Sequence, residues 1–152
     1  MALHTLTVGM LQVNCYVLGC ERTGEAIVID PGDDAPEILA LLARHGLKLA
    51  RMIATHAHFD HAGSAPYLRR HIPGLKVAAS RLAADIFKKP NAVNLIRSLS
   101  LDYEEQHRTL FGNENVFFDG LEVDRILEDG ETVDLGGRWS FRVISTPGHT
   151  RD

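Results

Sequence analysis

Several kinds of residue are scarce in this chain, and each scarcity excludes a class of protein. The 152 residues include only two cysteines, Cys15 and Cys20, in or beside one predicted strand, so we expect neither a disulfide scaffold nor a cysteine-built metal centre. We interpret both thiols as reduced. The apolar runs all stop short of the roughly 18 residues that a membrane-spanning helix needs.

Basic residues are also too few to favour binding to a polyanion such as nucleic acid. With 16 Lys and Arg against 20 Asp and Glu, the formal net charge is -4, which argues against a nucleic-acid phosphate backbone as a ligand. The first five residues contain no Lys or Arg, so no secretory signal is expected. These features favour a cytoplasmic protein without a nucleic-acid or membrane partner.

Apolar periodicity predicts strands interleaved with helices. We expect strands at residues 5–8, 13–18, 26–30, 49–54, 76–79, 123–127, 132–135 and 139–146. We expect helices within residues 34–46, 65–71, 81–87 and 91–111. The class is therefore α/β or mixed α+β, and the length favours one domain over residues 1–152.

Local signals mark several helix ends and turns in this plan. Asp34 followed by Glu37 predicts a capping box, and Ser80 predicts the N-cap of a later helix. Gly136-Gly137 predicts a turn between the last two strands. The helix in residues 91–111 is expected to pack on the core or on a partner subunit, which would make a homo-oligomer; a lid over a metal site is the alternative.

The most informative segment is residues 55–63, Thr-His-Ala-His-Phe-Asp-His-Ala-Gly. It places His56, His58, Asp60 and His61 on the loop that leaves a predicted strand. Nitrogen and oxygen donors without a thiolate favour zinc, with iron or manganese as alternatives. Residues two apart on an extended chain project to the same side, so His56 and His58 can reach one cation. Asp60 and His61 come after a turn and are candidates for a second, adjacent cation.

A further histidine, His149, also follows a predicted strand. The last predicted strand ends, Pro147-Gly148 turns the chain, and His149 comes next. His149 is the natural third imidazole for the cation of His56 and His58. Three neutral nitrogens plus a water form a catalytic arrangement.

These motifs resemble the metallo-β-lactamase superfamily. The resemblance lies in residues 55–63 together with residues 146–150, Thr-Pro-Gly-His-Thr. Residues 13–16, Val-Asn-Cys-Tyr, and 29–32, Ile-Asp-Pro-Gly, look most like its glyoxalase II-like thioester hydrolases. The resemblance implies a four-layer αββα sandwich, one metal on His56, His58 and His149, and a second on Asp60 and His61. It also implies that Asp30 braces the metal loop, where the alternative is an ordinary turn aspartate.

The resemblance further implies a reaction. A metal-bound water, its pKa lowered to roughly 7, would supply hydroxide to attack a thioester or related carbonyl, with Asp60 orienting it. Members of the family continue beyond the 146–150 motif to a carboxylate that bridges both metals and a final histidine, whereas this sequence stops at Asp152. This sequence also has Arg151-Asp152 where the family usually has any residue followed by glycine. We therefore expect the C-terminal part of the sandwich to be missing, and we give Asp152 no bridging role because it lies so close to His149 in the chain.

Two alternatives stay open. One is a mononuclear-iron sulfur dioxygenase of the same superfamily, which shares the first motif and uses one metal. The other is a non-catalytic metal-binding or assembly module. The remaining histidines, His4, His45, His71 and His107, have no partners at ligand spacing and are expected to be structural or solvated.

Overall fold

The computed structural model describes residues 1–106, 118–136 and 139–152. The strands are β1 (Ala2–Val8), β2 (Val13–Gly19), β3 (Glu25–Ile29), β4 (Lys48–Ala54), β5 (Lys76–Ala79), β6 (Arg125–Ile126), β7 (Thr132–Gly136) and β8 (Trp139–Arg142). The helices are α1 (Ala35–Arg44), α2 (Phe59–Ala62), α3 (Ala65–His71), α4 (Arg81–Ile86) and α5 (Pro90–Gln106).

Six strands form one mixed sheet in the order β1-β2-β3-β4-β5-β6. The first three strands pair antiparallel, as hairpins do, and β3 to β6 pair in parallel. Strands β7 and β8 form a separate antiparallel pair. Because β3 and β4 are parallel neighbours, their carboxyl ends meet at the same edge of the sheet, and Asp30 and residues 55–63 leave the sheet at that edge.

The two faces of the large sheet bury different partners. On one face, Val28 and Met52 belong to a core that also contains Ile38 of α1 and Leu68 of α3. On the other face, the alternate residues Ile27 and Ile53 pack with Leu127 and with Phe141 of β8. Of the four layers that the resemblance implies, the described residues supply a helical layer, the large sheet and two strands of a second sheet. The α/β class is confirmed.

Several element bounds agree with the sequence. Residues 65–71 and 76–79 are confirmed as α3 and β5. Ser80 is confirmed as the N-cap of α4, since its Oγ accepts a hydrogen bond from the Ala83 amide at 3.0 Å. None of the helices in the described ranges combines the length and apolarity that a membrane crossing requires.

Other bounds differ for reasons of pairing. The strand expected at 123–127 is only Arg125–Ile126, and it ends at Ile126 because that residue pairs with Ala79, the last residue of β5. The strand expected at 139–146 ends at Arg142, which pairs with Thr132 at the start of β7. The helix expected to reach residue 111 is described through Gln106, and its remainder, with His107, lies outside the described residues, as does Gly137 of the expected turn.

The capping box at Asp34 and Glu37 is wrong. Asp34 precedes α1 but makes no side-chain cap hydrogen bond. Its carboxylate instead accepts hydrogen bonds from the Gly9 amide at 2.8 Å and from the Tyr103 hydroxyl at 2.6 Å. A buried carboxylate needs partners, and here two distant segments supply them, so the long-range contacts replace the local cap.

Candidate metal centre

Asp30 connects the ends of β3 and β4. Its backbone has a positive φ of 53°, a conformation that Asp tolerates better than most residues, and its amide donates to the Ile53 carbonyl at 2.9 Å. The carboxylate accepts hydrogen bonds from the Thr55 amide and the Thr55 hydroxyl, each at 2.7 Å. The first residue of the histidine loop is therefore held by the side chain of Asp30, while the backbone of Asp30 is held by β4.

The same carboxylate holds His61. Its Oδ2 lies 2.9 Å from His61 Nδ1. Because a carboxylate only accepts, Nδ1 carries the proton, which leaves the lone pair on His61 Nε2. Burial lowers the pKa of His61, but the hydrogen bond and the charge of Asp30 outweigh burial and the net direction is upward. Asp30 thus holds both Thr55 and His61, and its role in bracing a metal site stays a prediction.

Backbone contacts at two glycines seat α2 against the loop after β3. The Gly32 amide donates to the His61 carbonyl at 3.1 Å, and the Ser64 amide donates to the Gly32 carbonyl at 2.6 Å. A Cβ on Gly32 would lie 2.4 Å from Val8 Cγ2, and one on Gly63 would lie 1.8 Å from Asp33 Oδ1. Only glycine fits at these two positions, and the resulting contact fixes the direction in which α2 presents Asp60 and His61.

The structure brings His56, His58 and His149 together. One ring nitrogen from each lies within 4.8 Å of those of the other two. His149 Nε2 is 3.2 Å from His58 Nδ1, and the ring centroids of His56 and His149 are 5.5 Å apart. His56 is buried, whereas His58 and His149 are exposed. The convergence expected from two distant strand ends is therefore observed.

The protonation pattern of His56 suits a cation. The Thr55 hydroxyl gives its single proton to Asp30, so at 2.9 Å it can only accept from His56 Nδ1. The lone pair of His56 then sits on Nε2, a buried atom without a hydrogen-bond partner among the described residues. Burial, followed by the charges of His61 and His58, lowers the pKa of His56, which favours the neutral form that binds metals. These residues fit a metal ion.

Asp60 and His61 lie beside the three histidines as a pair. Asp60 Oδ2 is 3.7 Å from His61 Nε2, and the His61 ring centroid is 4.1 Å from that of His56. Within the described ranges, His56, His58 and His149 are the group of three or more donors close enough to share one ion. The second cation on Asp60 and His61 stays a prediction.

Asp152 has a contact that the sequence analysis did not predict. Its Oδ2 accepts a hydrogen bond from the Ala57 amide at 2.8 Å, directly between His56 and His58. This bond joins the two segments that carry the histidines. The only sequence signal was a carboxylate three residues after His149, which by itself does not indicate an amide partner 95 positions away.

Two buried carboxylates beside the site were not predicted either. Asp33 and Asp34 come after Asp30 on the same loop, and both are at least 90% buried. Asp34 accepts from the Tyr103 hydroxyl at 2.6 Å, and Asp33 Oδ1 lies 3.4 Å from the Ser100 hydroxyl. These bonds attach α5 to the loop that carries Asp30. The signal for them was Ser100 and Tyr103 at helical spacing on one face of α5.

The histidines without an assigned role remain apart from this donor group. The rings of His4 and His45 contact each other with centroids 4.1 Å apart and planes tilted by 35°. His71 stacks on Tyr67, and its Nδ1 lies 2.8 Å from the Tyr67 carbonyl oxygen. Contacts with neighbouring rings therefore account for the positions of the His4, His45 and His71 side chains.

Comparison with known proteins gives a consistent result. The family model for the metallo-beta-lactamase superfamily matches residues 8–152. Hydroxyacylglutathione hydrolase GloC of Haemophilus influenzae is 31% identical over 99% of this chain and 63% of its own length. The mitochondrial persulfide dioxygenase ETHE1 of Homo sapiens is 27% identical over 89% of this chain and 39% of its own.

A solved structure shares the fold. The crystal structure of BLEG-1 B3 metallo-beta-lactamase superposes with a TM-score of 0.72 and 25% identity, covering 99% of this chain and 64% of that one. The chain spans 35% of the length of hydroxyacylglutathione hydrolase of Stenotrophomonas maltophilia and 63% of the length of GloC.

Proposed function

Because the chain belongs to the metallo-β-lactamase superfamily, we propose that it is a metal-dependent hydrolase of a thioester or a related carbonyl compound, similar to hydroxyacylglutathione hydrolase. The observation that supports this most is the convergence of His56, His58 and His149, whose ring nitrogens lie within 4.8 Å of one another. Three neutral imidazoles leave a coordination position for water or substrate.

Each histidine has a defined part in this proposal. His56 would bind a cation through Nε2, since Thr55 occupies its Nδ1. His58 and His149, both exposed, would complete the set from the solvent side. Zinc is the proposed ion because the donors are imidazoles, and iron or manganese would accept the same ligands. When bound, such a cation lowers the pKa of a coordinated water to about 7 and polarises a carbonyl oxygen.

Asp60 is the proposed orienting carboxylate. It lies beside His61 at the start of α2 and is mostly shielded, with 14% of its side chain exposed. A carboxylate there can accept a hydrogen bond from the attacking water and take up its proton. In the overall hydrolysis a water oxygen adds to the carbonyl carbon, the carbon–sulfur bond breaks, and a carboxylic acid and a thiol leave.

Metal analysis and turnover test the proposal together. We expect the purified chain to bind a divalent cation and, when loaded with zinc, to hydrolyse at least one compound in a panel of hydroxyacylglutathione and simple acyl thioesters, lactones and β-lactams. His149→Ala should weaken zinc binding by about 100-fold or more and abolish turnover. His45→Ala is the matched control, since His45 is also exposed but its ring contacts that of His4. Equal zinc affinity in the His149→Ala protein would reject the site.

A second function is supported by the donor count. In the described part of the chain one complete three-donor group is present, which is the number that a mononuclear site needs. The similarity to a persulfide dioxygenase points the same way. Oxygen consumption by the iron-loaded chain with glutathione persulfide, in the absence of thioester hydrolysis, would favour this sulfur dioxygenase hypothesis over the hydrolase.

The same experiments can also support the hypothesis that the chain binds a metal without catalysis. If the chain binds one metal ion tightly and accelerates none of these reactions, then a metal-binding or assembly module is the better description. Association into a homo-oligomer stays a prediction, which sedimentation of the same preparation would address.

A further inference from the structure

A groove of about 360 Å³ adjoins the histidine site. Its lining includes His58 and Ala57 from the loop after β4 and Thr150 to Asp152 from the segment after His149. The rest of its lining comes from α4 and α5: Leu82, Ile86, Ala92, Leu95 and Ile96. The volume lies within the range of small-molecule pockets, roughly 300–1,000 Å³.

The two walls of this groove differ in chemistry. The site loops supply an imidazole, a hydroxyl and the charged groups of Arg151 and Asp152. The five residues from the helices are all apolar, and Leu95 is 58% exposed in the groove. A ligand that fills the groove would therefore place a polar, reactive end at His58 and an apolar end against the helices.

The apolar wall is held in place by buried hydrogen bonds. Ile96 belongs to the main core and is 5% exposed. Four and seven residues later on α5, Ser100 and Tyr103 contact Asp33 and Asp34, which lie on the same loop as Asp30. The wall and the metal loop thus share one anchor, so the groove is preformed at a fixed place relative to the histidines.

We propose that this groove binds the apolar acyl chain of the substrate and makes the enzyme selective for medium-chain aliphatic acyl thioesters over acetyl thioesters. This inference rests on the proposed thioester hydrolysis for its reaction and on the groove alone for its ligand class. The occupant is apolar because the helical wall offers no hydrogen-bonding side chain among the residues that line it, and an aliphatic acyl chain is the apolar part of a thioester.

A substrate series measures the selectivity. The zinc-loaded chain is assayed with acetyl, butanoyl, hexanoyl and octanoyl thioesters of N-acetylcysteamine, with the released thiol as the readout. We expect kcat/KM to rise about two- to fourfold for each added methylene, as partial burial of a CH₂ group gives. A flat series, with acetyl hydrolysed as well as octanoyl, would overturn the groove proposal and leave thioester hydrolysis standing.

Two leucines one turn apart on α5 give a matched pair of variants. Leu95 lines the groove, whereas Leu99 is 41% exposed and is not part of its lining. Leu95→Asp should lower kcat/KM for octanoyl by at least about tenfold and change acetyl by less than about twofold. Leu99→Asp should leave the whole series unchanged. Ala92→Trp, which fills the groove, should remove the octanoyl preference in the same way.

Binding without turnover separates this proposal from the proposed function. The S-octyl thioether of N-acetylcysteamine cannot be hydrolysed, and we expect calorimetry to show that it binds at least about tenfold more tightly than the S-ethyl thioether. Leu95→Asp should remove that difference. Octyl selectivity without any thioester turnover would support the ligand class and reject the reaction, while equal binding of both thioethers would overturn the groove.

Discussion

His61 Nδ1 lies 2.9 Å from Asp30 Oδ2, so a residue of the histidine motif is oriented by a carboxylate 31 positions earlier in the chain. That carboxylate also holds Thr55 through two hydrogen bonds. Its partners are all donors: one amide, one hydroxyl and one ring N–H. Both side-chain oxygens at position 30 must therefore act as hydrogen-bond acceptors, and this requirement can be tested by substitution.

Asp30→Asn should disturb the site without changing side-chain size. The new NH₂ group would face either the Thr55 amide or the Thr55 hydroxyl and His61 ring, which are donors too, so at least one hydrogen bond is lost. We expect metal affinity to fall about 10- to 100-fold, measured by competition with a chromophoric chelator. Asp119→Asn, at an exposed carboxylate paired with Arg70, is the control. An unchanged dissociation constant for Asp30→Asn would contradict the bracing role.

Gly63→Ala should destabilise the fold by steric overlap. The added Cβ would lie 1.8 Å from Asp33 Oδ1 and 3.0 Å from the Phe59 carbonyl oxygen, so the buried side chain of Asp33 must move to relieve the overlap. We expect a loss of about 1–3 kcal/mol in the free energy of unfolding, from urea denaturation monitored by circular dichroism. In an Asp33→Ala background the same change should cost less, because the overlapping oxygen is gone. Equal costs in both backgrounds would show that the overlap is not the cause.

Tyr103→Phe should weaken the attachment of α5. The change removes the hydroxyl that donates to the buried Asp34 carboxylate, at an expected cost of about 1–3 kcal/mol at pH 7. Burial, together with the Asp34 hydrogen bond, raises the pKa of Tyr103 above its ordinary value of 10.0. The neutral phenol is thus favoured by folding, and its contribution is complete below pH 10 and is lost as the pH rises further.

The upward shift of the Tyr103 pKa on folding determines how the effect of Tyr103→Phe on stability depends on pH. The wild-type chain should lose stability above pH 10, whereas the difference between the wild-type and Tyr103→Phe proteins should shrink over the same range. Tyr16→Phe is the control because Tyr16 is 39% exposed. A difference that stays constant from about pH 7 to about pH 11 would argue against the Asp34 contact.

Asp124→Asn should remove an acid-sensitive contribution to stability. Partial burial raises the pKa of Asp124, but hydrogen bonds from the Val77 amide, Arg69 and Lys76 outweigh it and lower the pKa to about 2. Because the folded pKa is below the ordinary 3.8, the contribution is present above about pH 4 and is lost as the pH falls toward 2. We expect about 2 kcal/mol at pH 7 from this shift.

The measurement for Asp124 is urea unfolding of both proteins from about pH 7 to about pH 2.5. The difference between wild type and Asp124→Asn should narrow below about pH 4, where the wild-type carboxylate takes up a proton. The side chain is 20% exposed, so solvent screens part of the effect. A difference that stays constant through this range would assign the cost to packing instead of charge.

The sequence predicted best where a local signal and a tertiary role coincide. Residues 76–79 are a strand by composition and a strand in the sheet, and Ser80 caps a helix because its hydroxyl reaches the Ala83 amide within one turn. His56 and His58 stand out because three imidazoles and a carboxylate lie close together on a loop that leaves a strand, and such loops carry ligand sites at the edge of a sheet. His149 joins them because it follows a later strand and supplies a third imidazole. These inferences needed the donor types as well as periodicity and strand direction.

Long-range pairing decided the features that the sequence did not predict. Asp34 has the signature of a cap, yet Tyr103 lies 69 positions later and donates to its carboxylate. The last strand stops at Arg142 because β7 begins at Thr132, which no property of residues 143–146 reveals. Asp152 was set aside for its closeness to His149, although its partner is the Ala57 amide. A one-dimensional pattern does not specify such partners.

His58 and His149 are neighbours in space and 91 positions apart in the chain. At a synthesis rate of roughly 5–20 residues per second, the last imidazole leaves the ribosome some 5–20 seconds after the first two. Two early histidines alone offer a weak, open chelate, and closing the long intervening loop carries an entropic cost that the packed sheet must first offset. The proposed three-histidine site is therefore complete only once residue 149 has been synthesised, so binding of an ion by all three imidazoles would come late in folding.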